Sequence, residues 1–199
     1  MSANDLFEYI FKIVVLGKSK TGKTKLLKNY VGEEGTIDSI TPTIGVEFFT
    51  KKVLVDNHTV LLQFWDISGR SQFRSIVDIL LKGASAAILM FNKRDLSSLK
   101  EIREIWLPLL RNNLPNIIHS NDPLILVIAK LDHTPKKRSI SKNEIKKTFK
   151  AINFLYYEIY DKEKEKFHAA IEQLVRNIIY YKKRKIIEAA WSYSYYGSS

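Results

Sequence analysis

The chain contains no cysteine, and that absence removes disulfide frameworks, thiolate metal sites and cysteine nucleophiles at once. It also leaves no thiol to carry a prenyl or palmitoyl group. No apolar run approaches the roughly 20 residues of a membrane-spanning helix. The opening stretch MSANDLFEYIF carries acids where a secretory signal needs basic residues. Internal repeats and long low-complexity linkers are missing as well. Together these lacks predict a cytoplasmic chain that reaches membranes, if at all, from their surface.

What is present is enough for one full-sized core: 199 residues, 45% of them hydrophobic. The expected division is one domain over residues 1–181, then a basic and aromatic helix end and tail over 182–199. The formal net charge of +11 points to an anionic partner, whether phosphates, acidic lipid or nucleic acid. Solvated lysines that keep the chain soluble explain the same number equally well.

Apolar runs alternate with helical spacing, as βαβ units demand. FKIVVLG reads as a buried strand feeding a glycine turn, and TKLLKNYV follows with helical period. GVEFFTKKVLV and TVLLQFWD read as two strands joined by a tight turn around Asp56-Asn57. ASAAILMF and PLILVIA are continuous apolar runs, typical of central parallel strands covered on both faces. Between them SSLKEIREIWLPLLRNN is helical, with a serine placed to cap it. After a basic loop, SKNE offers a capping box. NFLYYEIY is a last strand, and a long terminal helix follows with apolar positions at Phe167, Ala170, Ile171, Leu174 and Ile178. The tail SYSYYGSS is expected to fray. The fold class is a doubly wound α/β domain, a mostly parallel six-stranded sheet with one antiparallel edge strand, and the motif GKSKTGKT after its first strand makes it the P-loop NTPase type.

GKSKTGKT, Gly17 to Thr24, fits the pattern G-x-x-x-x-G-K-[ST], with the required strand before it and helix after it. Backbone N–H groups must wrap a polyphosphate, so Gly17 and Gly22 leave room that a side chain would fill. Lys23 supplies a charge to the β- and γ-phosphates and Thr24 a hydroxyl to Mg²⁺. Ser19, Lys20, Thr21 and Lys25 complete the loop and the helix start. In WDISG, Asp66 at a strand end is a second candidate for Mg²⁺, and Gly69 can offer its N–H to a γ-phosphate.

TPTIGVEF and WDISGRSQFRSI resemble the two switch regions of the Ras-superfamily GTPases, specifically the Rab branch, in a likeness running from about Phe11 to Ile179. The resemblance implies GTP or GDP with Mg²⁺ as ligands and a role in vesicle trafficking. It implies effectors, an exchange factor and a GTPase activator as partners. Thr43 becomes the switch threonine for Mg²⁺ and the γ-phosphate. Ile44, Gly45, Val46, Glu47 and Phe48 match the Rab-type segment, with Trp65 and Phe73 as neighbouring effector-surface apolars. Trp65 reads equally well as half-buried packing. Rab proteins usually carry an aromatic pair near Leu80-Leu81, so partner choice is expected to differ.

Asn92-Lys93-Arg94-Asp95 has the spacing of a guanine clamp, but the resemblance places that clamp after the fifth strand. There the chain has Ala129-Lys130-Leu131-Asp132, which keeps Lys130 and Asp132 and lacks the leading Asn. NKRD is therefore expected to be a coincidence. The family's aromatic at the base edge is Thr36 here. Its Ser-Ala-Lys motif aligns with Tyr160-Asp161-Lys162. The family's water-orienting Gln is Arg70, which has donors only and cannot accept a proton from water. Slow hydrolysis follows, or Arg70 serves as a built-in arginine finger. Lys20 stands where a small residue is common and is expected either to crowd the phosphates or to point harmlessly into solvent. The rival reading is a pseudo-GTPase interaction module with little or no turnover. The basic segment YYKKRK offers a possible anionic membrane contact, and nucleic acid is the weaker alternative for it.

Overall fold

The computed structural model describes residues 7–32, 45–131, 139–150 and 152–196. Six strands form one sheet in the order β2-β3-β1-β4-β5-β6. They are β1 (Tyr9–Leu16), β2 (Val46–Val55), β3 (His58–Ile67), β4 (Ala86–Asn92), β5 (Ile125–Leu131) and β6 (Phe154–Tyr160). Only the β2–β3 pair is antiparallel; β3, β1, β4, β5 and β6 run parallel. This is the expected sheet, with its antiparallel strand at the edge. The hairpin turn forms at Asp56 (φ 48°) and Asn57 (φ 65°), the two left-handed residues that a type I′ turn needs.

Burial follows the apolar pattern. From Ile13 to Leu16 and from Ala86 to Phe91 every side chain is buried, because helices cover both faces of the central strands. On one side α1 (Lys23–Val31) packs against α7 (Lys164–Tyr196). On the other, α2 (Val77–Leu81) packs on α4 (Leu107–Asn113), while α3 (Leu96–Glu101) lies on β4. Phe167, Ala170, Ile171, Leu174 and Ile178 form the buried stripe of α7, as their spacing requires. A short helix, α5 (Pro115–Ile118), and α6 (Lys142–Thr148) complete the layers. The capping box of α6 is present: Glu144 N–H donates to Ser141 Oγ at 3.2 Å, and Ser141 N–H donates to Glu144 Oε2 at 2.8 Å.

Two local expectations are corrected. The helix after β4 is capped by Asp95, not by a serine: Ser97 N–H donates to Asp95 Oδ1 at 3.0 Å. That helix continues from α3 into α4 through one π-helical turn, Ile102–Trp106. The tail does not fray at residue 192, because α7 runs on to Tyr196. Ion pairs one turn apart, Lys185–Glu188 at 2.8 Å and Arg184–Glu188 at 3.8 Å, support the helix beyond the body.

The parallel strands bring their carboxyl ends to one edge. From central β1 the chain turns to β2 and β3 on one side, then crosses to β4 on the other. The loop after β1 thus lies where the strand order reverses, the place such sheets bind ligands.

Candidate phosphate and base site

Residues 17–24 connect β1 to α1 and wrap around one ammonium. Lys23 is only 6% exposed, and its Nζ donates to the carbonyls of Gly17 at 2.8 Å and Lys18 at 3.1 Å. Burial holds its pKa below the ordinary lysine value, while the charge of Asp66 pulls the other way. Thr21 tightens the loop by donating its hydroxyl to Lys18 O at 2.8 Å. Gly17 takes φ 144°, and a Cβ there would lie 2.1 Å from the carbonyl oxygen of Met90 on β4. Lys20 occupies the left-handed region at φ 66° with an exposed side chain, an unusual backbone for a residue with a Cβ. Ser19 is half-buried in the same loop.

β3 delivers the second half. Asp66 is fully buried; its Oδ2 accepts the Thr24 hydroxyl, and its Oδ1 has no hydrogen-bond partner among the described residues. Burial pushes this carboxyl up to about 6, against the lowering pull of Lys23 and Thr24. Just beyond it, Gly69 presses on the loop: a Cβ there would lie 2.3 Å from Ser19 N and 2.4 Å from Gly17 O. Arg70 follows, half-buried, at the start of a 3₁₀ turn, Ser71–Ile76, and its N–H reaches Ser68 Oγ at 3.4 Å.

Three elements meet beside the loop at Asp161. Lys130 near the end of β5 donates to Asp161 Oδ1 at 2.8 Å, and Lys25 of α1 donates to Asp161 Oδ2 at 3.1 Å. Partial burial raises the Asp161 pKa, but the two lysine hydrogen bonds outweigh it and hold the carboxyl below its ordinary value. Lys162 is exposed on the same turn, and Ala129 is buried in β5. Thr36, Thr43, Ile44 and Asp132 lie outside the described residues.

The residues of NKRD make contacts of their own. Besides capping α3, Asp95 pairs with Lys18 of the phosphate loop at 3.3 Å. Asn92 Oδ1 accepts from the Arg94 N–H at 2.8 Å, and Lys93 pairs with Glu158. These side chains close a turn and brace the loop. The Asp-Leu-Ser-Ser order is itself a capping signal that could have marked Asp95 as the cap; Lys18 carried no signal of its brace.

Beside the site, Val46 opens β2, and Ser68 N–H donates to Gly45 O at 2.9 Å, tying the two segments together. Phe48 is 53% exposed with its ring centroid 5.4 Å from Trp65, whose other neighbour is the Lys12 ammonium at 4.3 Å. Glu47 and Phe73 are half-buried nearby; Leu81 is core and Leu80 half-buried.

The residues present fit a nucleoside phosphate with a hard divalent cation. A buried ammonium lies inside the loop, and among the described residues Asp66 keeps one buried oxygen without a hydrogen-bond partner. Among the described residues no cluster of three or more His, Asp or Glu could hold a metal by itself.

A sequence profile of the Ras family matches residues 12–180. The Ras-related protein RABA1c of Arabidopsis thaliana is 37% identical over 117 residues, 58% of this chain and 53% of its own. The Ras-related protein Rab-11B of Dictyostelium discoideum is 37% identical over 126 residues, 63% and 54% of the two chains. The Ras-related protein Rab-1 of Theileria parva is 34% identical over 152 residues, 76% and 66%. The chain thus spans about half to two thirds of the length of these relatives.

Proposed function

The chain belongs to the Ras family as a divergent Rab-like member, and from that premise we propose that it is a GTP- and GDP-binding switch of vesicle trafficking with slow intrinsic hydrolysis. The observation that carries the reading is the phosphate cradle: buried Lys23 inside the loop, and Thr24 bonded to an Asp66 whose second oxygen has no partner among the described residues. Loop N–H groups and the Lys23 ammonium bind the β- and γ-phosphates, and Thr24, Thr43 and Asp66 hold Mg²⁺. Bound Mg²⁺ neutralises charge on the phosphate oxygens. Gly69 and Thr43 sense the γ-phosphate through their N–H groups, which orders the two switches. Asp132 accepts from guanine, and Lys130 lies along the base. Effectors dock on Thr43 to Phe48, Trp65 and Phe73; the phosphate state sets that surface, which an exchange factor and a GTPase activator would regulate. Among the described residues no helix is long and apolar enough to cross a membrane. The basic residues Lys182 to Lys185 on α7 offer an anionic bilayer a peripheral contact, at about 1 kcal/mol per charge.

Titration with a fluorescent GDP analogue tests the reading. Asp132→Ala should weaken binding at least about tenfold by removing a charge-assisted pair to the base. Asp95→Ala should leave affinity nearly unchanged while costing about 1 kcal/mol of stability as a lost helix cap. The reverse ranking of affinities sinks the assignment of the base loop. No binding of GDP or GTP by the native chain favours the interaction module that has lost its nucleotide, the reading to which Ala129, Thr36 and Arg70 incline.

Hydrolysis requires something to orient the attacking water, and Arg70 offers donors only. Arg70→Gln should therefore raise single-turnover GTP cleavage about fivefold, roughly 1 kcal/mol of barrier. Lys20→Gly, alone and combined with it, removes both a charge and a left-handed side-chain residue from the loop. A faster double variant supports slow switching. Slower cleavage on Arg70→Gln in both backgrounds makes Arg70 a finger on the γ-phosphate instead.

A further inference from the structure

Asp161 stands just past β6 on a turn pinned from both sides. Tyr160 N–H donates to Glu163 Oε2 at 2.8 Å, and Glu163 N–H donates to Tyr160 O at 3.1 Å. From this fixed point its carboxylate takes Lys130 on one oxygen at 2.8 Å and Lys25 on the other at 3.1 Å. The Lys130 side chain is 16% exposed, and its tail crosses the phosphate loop. A Cβ on Gly22 would lie 2.5 Å from Lys130 Nζ and 3.3 Å from its Cδ and Cε. A long side chain that would otherwise sample many rotamers is thus held at its tip by a carboxylate and along its stem by loop backbone. Two ammonium groups against one carboxylate leave the cluster positive, so the bridge neutralises neither lysine for an anionic ligand.

We propose that Asp161 is a positioning residue of the nucleotide site: it fixes the end of the Lys130 side chain, ammonium and adjoining methylenes, over Gly22 as a floor for the base side of the ligand and ties Lys25 beside it. This rests on the reading of the cleft as a nucleotide site and adds how the base side is held. Ala129 supplies no amide there, and the turn after β6 contributes a carboxylate that works through two lysines. The carboxylate stays ionised below the ordinary aspartate range, so the bridge persists across neutral pH.

The test uses the full chain with Asp161→Ala and Asp161→Glu. Three quantities are measured: release of a fluorescent GDP analogue, competition by inorganic tripolyphosphate, and acylation of Lys130 read by mass spectrometry without nucleotide. Asp161→Ala should speed GDP release about tenfold, the size of one lost charge-assisted interaction. Tripolyphosphate, which has no base, should compete within about twofold of wild type, since the exposed carboxylate acts on it only through screened charge. Lys130 labelling should rise several-fold, and Asp161→Glu should restore all three readings towards wild type. Unchanged Lys130 labelling in Asp161→Ala overturns the proposal, as does tighter binding of GDP and tripolyphosphate alike, which marks Asp161 as a bulk charge. Failure of the wild-type chain to bind GDP or tripolyphosphate overturns the nucleotide reading and this role with it. Wild-type binding with unchanged release in Asp161→Ala overturns this role alone.

Discussion

Lys23→Ala should lower affinity for GDP and GTP at least about a hundredfold, equivalent to roughly 2.7 kcal/mol. The ammonium sits inside the loop, 6% exposed, oriented by two carbonyls at 2.8 and 3.1 Å. A charge already stripped of water loses little on meeting a phosphate, and in that buried setting its attraction is weakly screened. Alanine deletes the charge and leaves the Gly17 and Lys18 carbonyls without that donor. Folding stability should change far less, because the lost hydrogen bonds are offset by relief of a cation that burial disfavours. On the proposed reading the base makes fewer strong contacts, so Lys23→Ala should exceed Asp132→Ala in effect. Calorimetric titration of both variants decides it; an Asp132→Ala loss as large as that of Lys23→Ala means the phosphates do not dominate.

The fold was legible because each strand and helix announces itself by local period and local turn chemistry. Asp56-Asn57 and Ser141–Glu144 adopt the turn and cap that their residue types encode. The phosphate loop was legible for the same reason: strand, loop and helix are contiguous in sequence. What local reading missed lies across the fold. Lys25, Lys130 and Asp161 were each singled out, but their junction depends on α1, β5 and β6 meeting at one sheet edge. Lys18 and Asp95 are likewise joined only by the adjacency of β1 and β4. The serine cap was misassigned because Asp95, drawn into a clamp-like pattern, is the better N-cap acceptor and stands two residues earlier. The tail was expected to fray, yet α7 continues into it as far as Tyr196.

Gly17 permits a test that separates strain from collision. Gly17 and Gly32 both have positive φ, 144° and 93°. Around Gly32, the C-cap of α1, a Cβ would meet no atom of the described residues within 4 Å. Gly32→Ala should therefore cost only the left-handed penalty, about 1 kcal/mol. At Gly17 the same methyl would lie 2.1 Å from Met90 O and 3.1 Å from Met90 C, in the backbone of a central strand paired on both sides. That strand cannot yield as a side chain does, so β1 must part from β4 or the loop must move. Gly17→Ala should cost about 4 kcal/mol or more, the range reserved for a buried clash in a packed core. Urea unfolding of the two variants measures the difference. Any folded Gly17→Ala protein should also bind GDP poorly, because shifting Gly17 draws its carbonyl away from Lys23 and unseats the ammonium. Equal costs at the two glycines would show that the loop does not rest on β4, and that Gly17 serves only the torsion of the turn.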